Sequence, residues 1–178
     1  MGLQTGTKLA QTKSPIIDPA NLRIVAYVVE GPLLSEKPSI LRTVDIREQG
    51  EVGMIIDSSD EFIGIDDVIK IKELYDLSFV LNGTSVIDET NHKLGKIEDY
   101  SVEIENFDVT QLNVKRGVFK GLNETGLLIH RSQIVEINNE NIIVRTTAQK
   151  LEPVMKSERR TFINPFKSAN PQIDNTKI

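Results

Sequence analysis

Two histidines, one serine placed near one of them, and three groups of carboxylates are the residues of this 178-residue chain whose types and spacing suit chemistry. His130 and Ser132 are two positions apart and would share one face of a strand, which invites a serine nucleophile with a histidine base. Such a pair also needs an orienting group and donors for the developing oxyanion, and neither a second histidine nor a fixed carboxylate lies beside it. His130 is therefore read as a structural hydrogen-bonding residue. His92 falls in Thr90-Asn91-His92-Lys93 and reads as a solvated turn residue. Asp45 with Glu48, Asp57 with Asp60 and Glu61, and Asp66 with Asp67 are the carboxylate groups. Asp57-Ser58-Ser59-Asp60-Glu61 lacks the glycine and the terminal bidentate glutamate of an EF-hand loop, so turn chemistry accounts for it. Asp66-Asp67 suits the start of a helix.

Cysteine is absent, which removes disulfides, thiolate metal sites and thiol catalysis together. Gly117-Val118-Phe119-Lys120-Gly121 has neither the spacing nor the following hydroxyl residue of a phosphate-binding loop. No catalytic residue, metal ligand or cofactor site is assigned, no small-molecule substrate is expected, and the chain is read as a non-enzyme. What stands out instead is basic residues interleaved with aromatics. Lys115, Arg116 and Lys120 surround Phe119, and Arg159 and Arg160 precede Phe162 and Phe166. These eight are the candidate partner-binding residues, because cations with exposed rings suit either a protein surface or RNA.

The formal net charge is -5, with 39% hydrophobic and 26% charged residues, and the mean hydropathy is -0.21. That composition belongs to globular proteins. The segment from Leu151 to Ile178 carries five basic and three acidic side chains, so the acidic excess lies in the rest. An acidic body argues against strong sequence-independent binding of nucleic acid. Apolar runs such as Gly126-Leu127-Leu128-Ile129 are too short to span a bilayer. The first residues have no secretory pattern, and Gly6 stands where N-myristoylation wants Ser or Thr. A cytoplasmic location is expected.

The elements that must position these residues are mostly strands. Leu22–Val29, Ile40 through Ile46, and Val52–Ile56 are rich in β-branched residues, with Glu48-Gln49-Gly50 read as a turn. Ser58–Glu61 is read as closing a hairpin into Phe62-Ile63. From Asp66 the period changes, and Val68, Ile71 and Leu74 or Tyr75 predict one helix. Ser78–Leu81 is read as a strand turned by Asn82-Gly83. Asp88–His92 feeds a hairpin through Lys93-Leu94-Gly95-Lys96-Ile97 into a strand with Tyr100, Val102 and Ile104, and the slip in parity predicts a bulge near Glu98-Asp99. Phe107, Val109 and Gln111, or else Leu112 and Val114, define the next strand. Leu127–Ile129 leads through His130–Gln133 into Ile134–Ile137, and Asn138–Asn141 turns into Ile142–Val144.

The halves repeat one another. Ile24, Tyr27 and Val29 fall on Val109, Leu112 and Val114 with a shift of 85, and Leu41, Asp45 and Ile46 fall on Ile129, Gln133 and Ile134 with a shift of 88. Gly6-Thr7 placed on Gly83-Thr84, a shift of 77, implies that the first copy lacks about eight residues, the Leu-Gly-Lys-Ile step itself.

On Gly83-Thr84-Ser85-Val86, Lys93–Asp99, the Val109–Val114 strand and Ile129–Ile137 leading to Ile142–Val144, residues 82–145 resemble the PRC-barrel family. This is the small β-barrel of the H subunit of photosynthetic reaction centres and of a bacterial 16S ribosomal RNA maturation factor. Residues 3–64 look like a more divergent member, and the whole resembles the tandem PRC-barrel proteins. The resemblance implies a mainly β fold with six strands per barrel, and a docking role with no shared catalytic residues. The expected organisation is a divergent barrel over 1–65, a connecting helix over 66–77, a barrel over 78–148 and a flexible tail over 149–178. The barrels are expected to pack on one another, and self-association is compatible with this reading. The expected role is a cytoplasmic adaptor binding partner proteins, with an accessory role in ribosome or RNA assembly as the alternative.

Overall fold

The alternating apolar residues of the first half bury two different faces, and a bulge makes this possible. In the computed structural model, which describes residues 1–32, 34–116, 126–138 and 140–145, β1 (Gln11–Asp18), β2 (Arg23–Glu30), β3 (Ser39–Arg42), β4 (Glu48–Gly50), β5 (Gly53–Ile55) and β6 (Phe62–Gly64) build that half. β1, β2, β3 and β6 form one sheet in that order, and β4 pairs with β5. Across β1 and β2, Ile16 faces Ala26 and Ile17 faces Ile24, so Val25 is the extra residue. The slip sends Ile24 into one core cluster while Ala26 and Val28 enter another.

After β6 a short 3-10 turn (Ile65–Asp67) leads into α1 (Ile69–Asp76). Asp67 Oδ2 accepts the Gly64 N–H at 2.8 Å, and Ile71 packs with Ile16, Ala26, Val28 and Ile40. The helix thus covers the outer face of the first sheet. Full burial of one such aliphatic side chain contributes about 1.5–3 kcal/mol.

The second half comprises β7 (Ser85–Asp88), β8 (Lys93–Val102), β9 (Val109–Lys115), β10 (Leu127–His130), β11 (Ile134–Ile137) and β12 (Asn141–Val144). They form a six-stranded sheet in the order β10-β9-β8-β7-β12-β11, with β12 parallel to β7. The predicted bulge is present. Ile97 faces Val114 and Asp99 faces Asn113, leaving Glu98 unpaired. A second bulge at Thr110 resolves the alternatives for β9, because it brings Val109, Leu112 and Val114 onto one buried face.

The pairing of β1 with β2 reproduces that of β8 with β9 residue for residue at a shift of 85. Thr12 faces Val29 and Ser14 faces Val28, with Lys13 at the position of Glu98, and Val25 stands at the position of Thr110. The opening turn follows the same shift. Gly6 has φ 63° and Asn91 has φ 64°, and Lys8-Leu9-Ala10 occupies the place of Lys93-Leu94-Gly95. The expected shift of 77 is thereby corrected, since the first half keeps a counterpart of the Leu-Gly-Lys-Ile step in Leu9-Ala10-Gln11-Thr12. The two Gly-Thr dipeptides do different work in the two halves. Gly2 makes a parallel bridge with Ile56, so the first residues lie beside β5 much as β7 lies beside β12.

Other expectations are corrected as well. Glu48–Gly50 is the strand β4, paired with β5 around Glu51-Val52. Phe62–Gly64 pairs with β3, not with Val52–Ile56. Ser78–Leu81 is not a strand: Ser78 has φ 53°, and Leu81 is buried through a turn in which Thr84 Oγ1 donates to Val80 O at 2.7 Å. Residues 43–45 form a 3-10 turn that ends β3 before Ile46.

The two halves share a core. Ile17, Leu22 and Ile24 pack with Leu81, Val86, Ile97, Leu112 and Ile142, as expected for units too small to close a core alone. No ladder joins β10 to β11 among the described residues. Contacts divide the chain into Met1–Thr146 and Thr147–Ile178, and the second unit lies outside the described residues.

Candidate functional site

The sequence-derived candidates are only partly within the described residues. Lys115 closes β9 opposite Lys96 of β8, and its Nζ lies 3.5 Å from Glu98 Oε1. Arg116 follows it, exposed. Two adjacent strands thus place like charges side by side, with the bulge residue Glu98 as partner to one of them. Phe119, Lys120, Arg159, Arg160, Phe162 and Phe166 lie outside the described residues.

The His130–Ser132 pair closes a turn. His130 Nδ1 accepts the Ser132 N–H at 3.2 Å, and Ser132 Oγ lies 2.8 Å from the same nitrogen. Gln133 Oε1 accepts the His130 N–H at 2.9 Å. His130 has φ -74° and ψ 146°, and Arg42, at the corresponding place before the first-half turn, has φ -74° and ψ 143°. There the side chain bonds Asp45 instead, Nε to Oδ2 at 2.6 Å. His130 thus caps its turn, whereas Arg42 makes no cap and pairs with the Asp45 side chain, and both side chains are engaged locally. His92 Nδ1 similarly lies 2.7 Å from Thr90 Oγ1 and 3.3 Å from Asp88 Oδ2. Bonds from the Thr90 hydroxyl and the His92 N–H hold the Asp88 carboxyl down to about 2. Asp57 forms a two-bond pair with Arg47, both at 2.6 Å, and that bonding lowers its pKa.

A site missed by sequence reasoning arises where the halves meet. Arg23 and Asp108, 85 positions apart, form an antiparallel bridge, and Arg23 Nε donates to Asp108 Oδ1 at 2.8 Å. Arg131 Nη1 lies 3.4 Å from Asp108 Oδ2, and its other terminal nitrogen donates to the Asn21 carbonyl. Hydrogen bonding to Arg23, helped by the charges of Arg23 and Arg131, keeps the Asp108 carboxyl below the ordinary range. Tyr27 meets Phe107 edge to face at 6.4 Å, and burial followed by the nearby Tyr100 pushes the Tyr27 hydroxyl up to about 12.

Two clefts flank this junction. One, of about 560 Å³, is bounded by Thr43, Val44 and Glu48 from the first half and by Ile104, Glu105 and Asn106 from the second. The other, of about 300 Å³, sets Arg131, Ile134 and Glu136 against Pro19, Ala20 and Asn21. At shifts of 88 and 85 every residue of the smaller cleft has its counterpart in the larger, which adds Arg23 and Val44. The difference lies at one position above all: the small cleft has Arg131 where the large one has Thr43, whose hydroxyl donates to Val25 O at 3.1 Å. The lips differ too. Val44 is 81% exposed and Ile104 55% exposed, and their counterparts are Ser132 and Pro19. Val44 and Ile104 join Ile46 and Phe107 in the lining of the cleft, with Glu48, Glu105 and Asn106 beside them, and apolar groups set among polar ones are the ordinary make-up of a protein interface. Nothing in the sequence marked this site, because its walls are some sixty residues apart and each looks like an ordinary loop.

Residues 80–151 match the family model of the PRC-barrel domain. The match spans β7 through β12 and therefore the whole described second half. No curated protein matches the chain. Among the described residues no helix is long and apolar enough to cross a membrane.

Proposed function

We propose that this chain is a non-catalytic, cytoplasmic adaptor of two PRC-barrel units in tandem, which binds a partner protein at the larger junction cleft. The observation that carries the reading is the pair Val44 and Ile104, exposed aliphatic side chains on opposing lips of one cleft. Exposed apolar residues gathered at a concave surface favour burial by a partner. The PRC-barrel match of the second half supports a docking module, and the recurrence of both bulges at a shift of 85 supports reading the first half as a second unit. The side chains that suggested catalysis are engaged in turn closure, which supports a role without chemistry. The experiment is affinity purification of the full chain beside Val44→Asp/Ile104→Asp. The adaptor reading expects one stoichiometric protein partner with the parent and its loss with the variant; an unchanged partner set would contradict it.

The alternative, contact with RNA or a ribosomal particle, is favoured by the opposed Lys96 and Lys115 with Arg116 following. It expects co-sedimentation with ribosomal particles that falls steeply with salt and is weakened by Lys115→Gln/Arg116→Gln.

A further inference from the structure

The larger junction cleft has an internal precedent for how such a space is filled. In its counterpart the Arg131 side chain crosses from the second half to the Asn21 carbonyl of the opposite wall, and its guanidinium also lies against Asp108 of its own half. Thr43 is too short to make that crossing, so the larger cleft offers the space that Arg131 occupies in the smaller one. Charge then selects the guest. The two cations at the cleft are already engaged, Arg23 with Asp108 and Arg47 with Asp57. Glu48 and Glu105 line the same cleft, one on each wall, and neither forms an ion pair among the described residues. The charge left for a visitor is negative, and it lies between the apolar lips Val44 and Ile104.

Resting on the adaptor reading, we propose that the larger cleft receives a basic side chain of a partner protein, an arginine flanked by aliphatic residues. The guanidinium sits between Glu48 and Glu105, and the neighbouring aliphatic groups cover Val44 and Ile104. An arginine suits both demands, since its stem lies along apolar surface while its planar head bonds carboxylates. Charge-assisted bonds in a partly desolvated cleft are stronger than exposed ones.

The test is titration of isotope-labelled full-length protein with the peptide acetyl-Leu-Arg-Leu-amide, followed through backbone amide shifts. Saturable movement of Val44, Glu48, Glu105 and Asn106 is expected, with Ala20 to Leu22 and Val135 to Ile137 unmoved. Glu48→Gln/Glu105→Gln, at two exposed positions, should weaken binding at least tenfold while leaving the rest of the spectrum in place. Acetyl-Leu-Glu-Leu-amide should not bind. No saturable shift at millimolar peptide, equal binding of the acidic peptide, or unchanged binding by the double variant would each overturn the proposal. The purification with Val44→Asp/Ile104→Asp fails only if the adaptor reading itself fails, so the two failures are separable.

Discussion

Leu22 and Phe107 stand 85 positions apart and both hold left-handed backbone, with φ 49° and 58°. Each carbonyl accepts from the residue two beyond the other: the Val109 N–H bonds Leu22 O at 2.8 Å and the Ile24 N–H bonds Phe107 O at 2.9 Å. Neither residue has the glycine or asparagine character that makes this conformation cheap. Each is preceded by an asparagine whose Oδ1 accepts the N–H two residues on, Asn21 from Arg23 and Asn106 from Asp108, both at 2.9 Å. The junction is thus two copies of one strained turn hydrogen-bonded to each other about a local twofold axis.

Asp108 is the shared partner of two guanidinium groups. Asp108→Asn should therefore lower the melting temperature more than Arg23→Gln or Arg131→Gln, by on the order of 2–4 °C. The effect should shrink in high salt, where exposed charges are screened. Thermal melts at low and high ionic strength check this, and equal shifts for all three variants would count against it.

Gly95 and Gly53 make a contrast in what a methyl group meets. A Cβ at Gly95 would lie 2.3 Å from the Lys115 carbonyl oxygen, whereas at Gly53, with φ 105°, it would meet nothing within 4 Å. Gly95→Ala has to part β8 from β9 and should cost about 2–4 kcal/mol. Gly53→Ala bears only backbone strain and should cost about 1 kcal/mol. Urea denaturation of both variants gives the difference, and a reversed order would refute the close approach.

Asp88 supplies a pH dependence. Its carboxyl sits near 2 in the folded chain against an ordinary value of 3.8, so the unfolded chain binds the proton first as pH falls. The stabilisation is fully present above the ordinary value and is lost as pH drops through 3.8 toward 2. Asp88→Asn should flatten the acid limb of the stability curve between those values and leave neutral pH without a slope. An acid limb unchanged by the substitution would show that Asp88 is not held by Thr90 and His92.

The two faces of the second sheet should respond differently to truncation. Leu112 is fully buried, and Leu112→Ala should cost about 2–5 kcal/mol. Leu128, 61% exposed, corresponds to Ile40, which is fully buried beneath α1. Leu128→Ala should change stability by about 0.5 kcal/mol or less. Chemical denaturation of the pair decides it.

That last contrast also indicates what could be read in advance. The inner-face triplets Ile24, Tyr27, Val29 and Val109, Leu112, Val114 were legible because the same irregular spacing occurs twice, and a bulge is what turns that spacing into one face. The bulge at Glu98 was legible from parity alone. The strand β1 was not, since Gln11–Ser14 is polar and Pro15 interrupts it, and its place is set by pairing with β2. The helix was legible from Val68, Ile71 and Leu74, and its reason lies in the sheet beneath: Ile16, Ala26, Val28 and Ile40 need a cover. Their counterparts are polar at Ser101, Gln111 and Asn113, the first exposed and the other two half-buried, and the fourth counterpart, Leu128, is exposed. The cleft was invisible because it depends on where two loops meet across the junction. No periodicity within either loop encodes that meeting.

A partner protein of this adaptor has to seat itself between Val44 and Ile104. A photo-activatable residue placed at position 44 of the full chain in cells, compared with one at position 128, measures this directly. A discrete, saturable protein adduct is expected from position 44, diminished by Glu48→Gln/Glu105→Gln, with little from position 128. Equal labelling from both positions, or adducts to RNA alone, would contradict that seating.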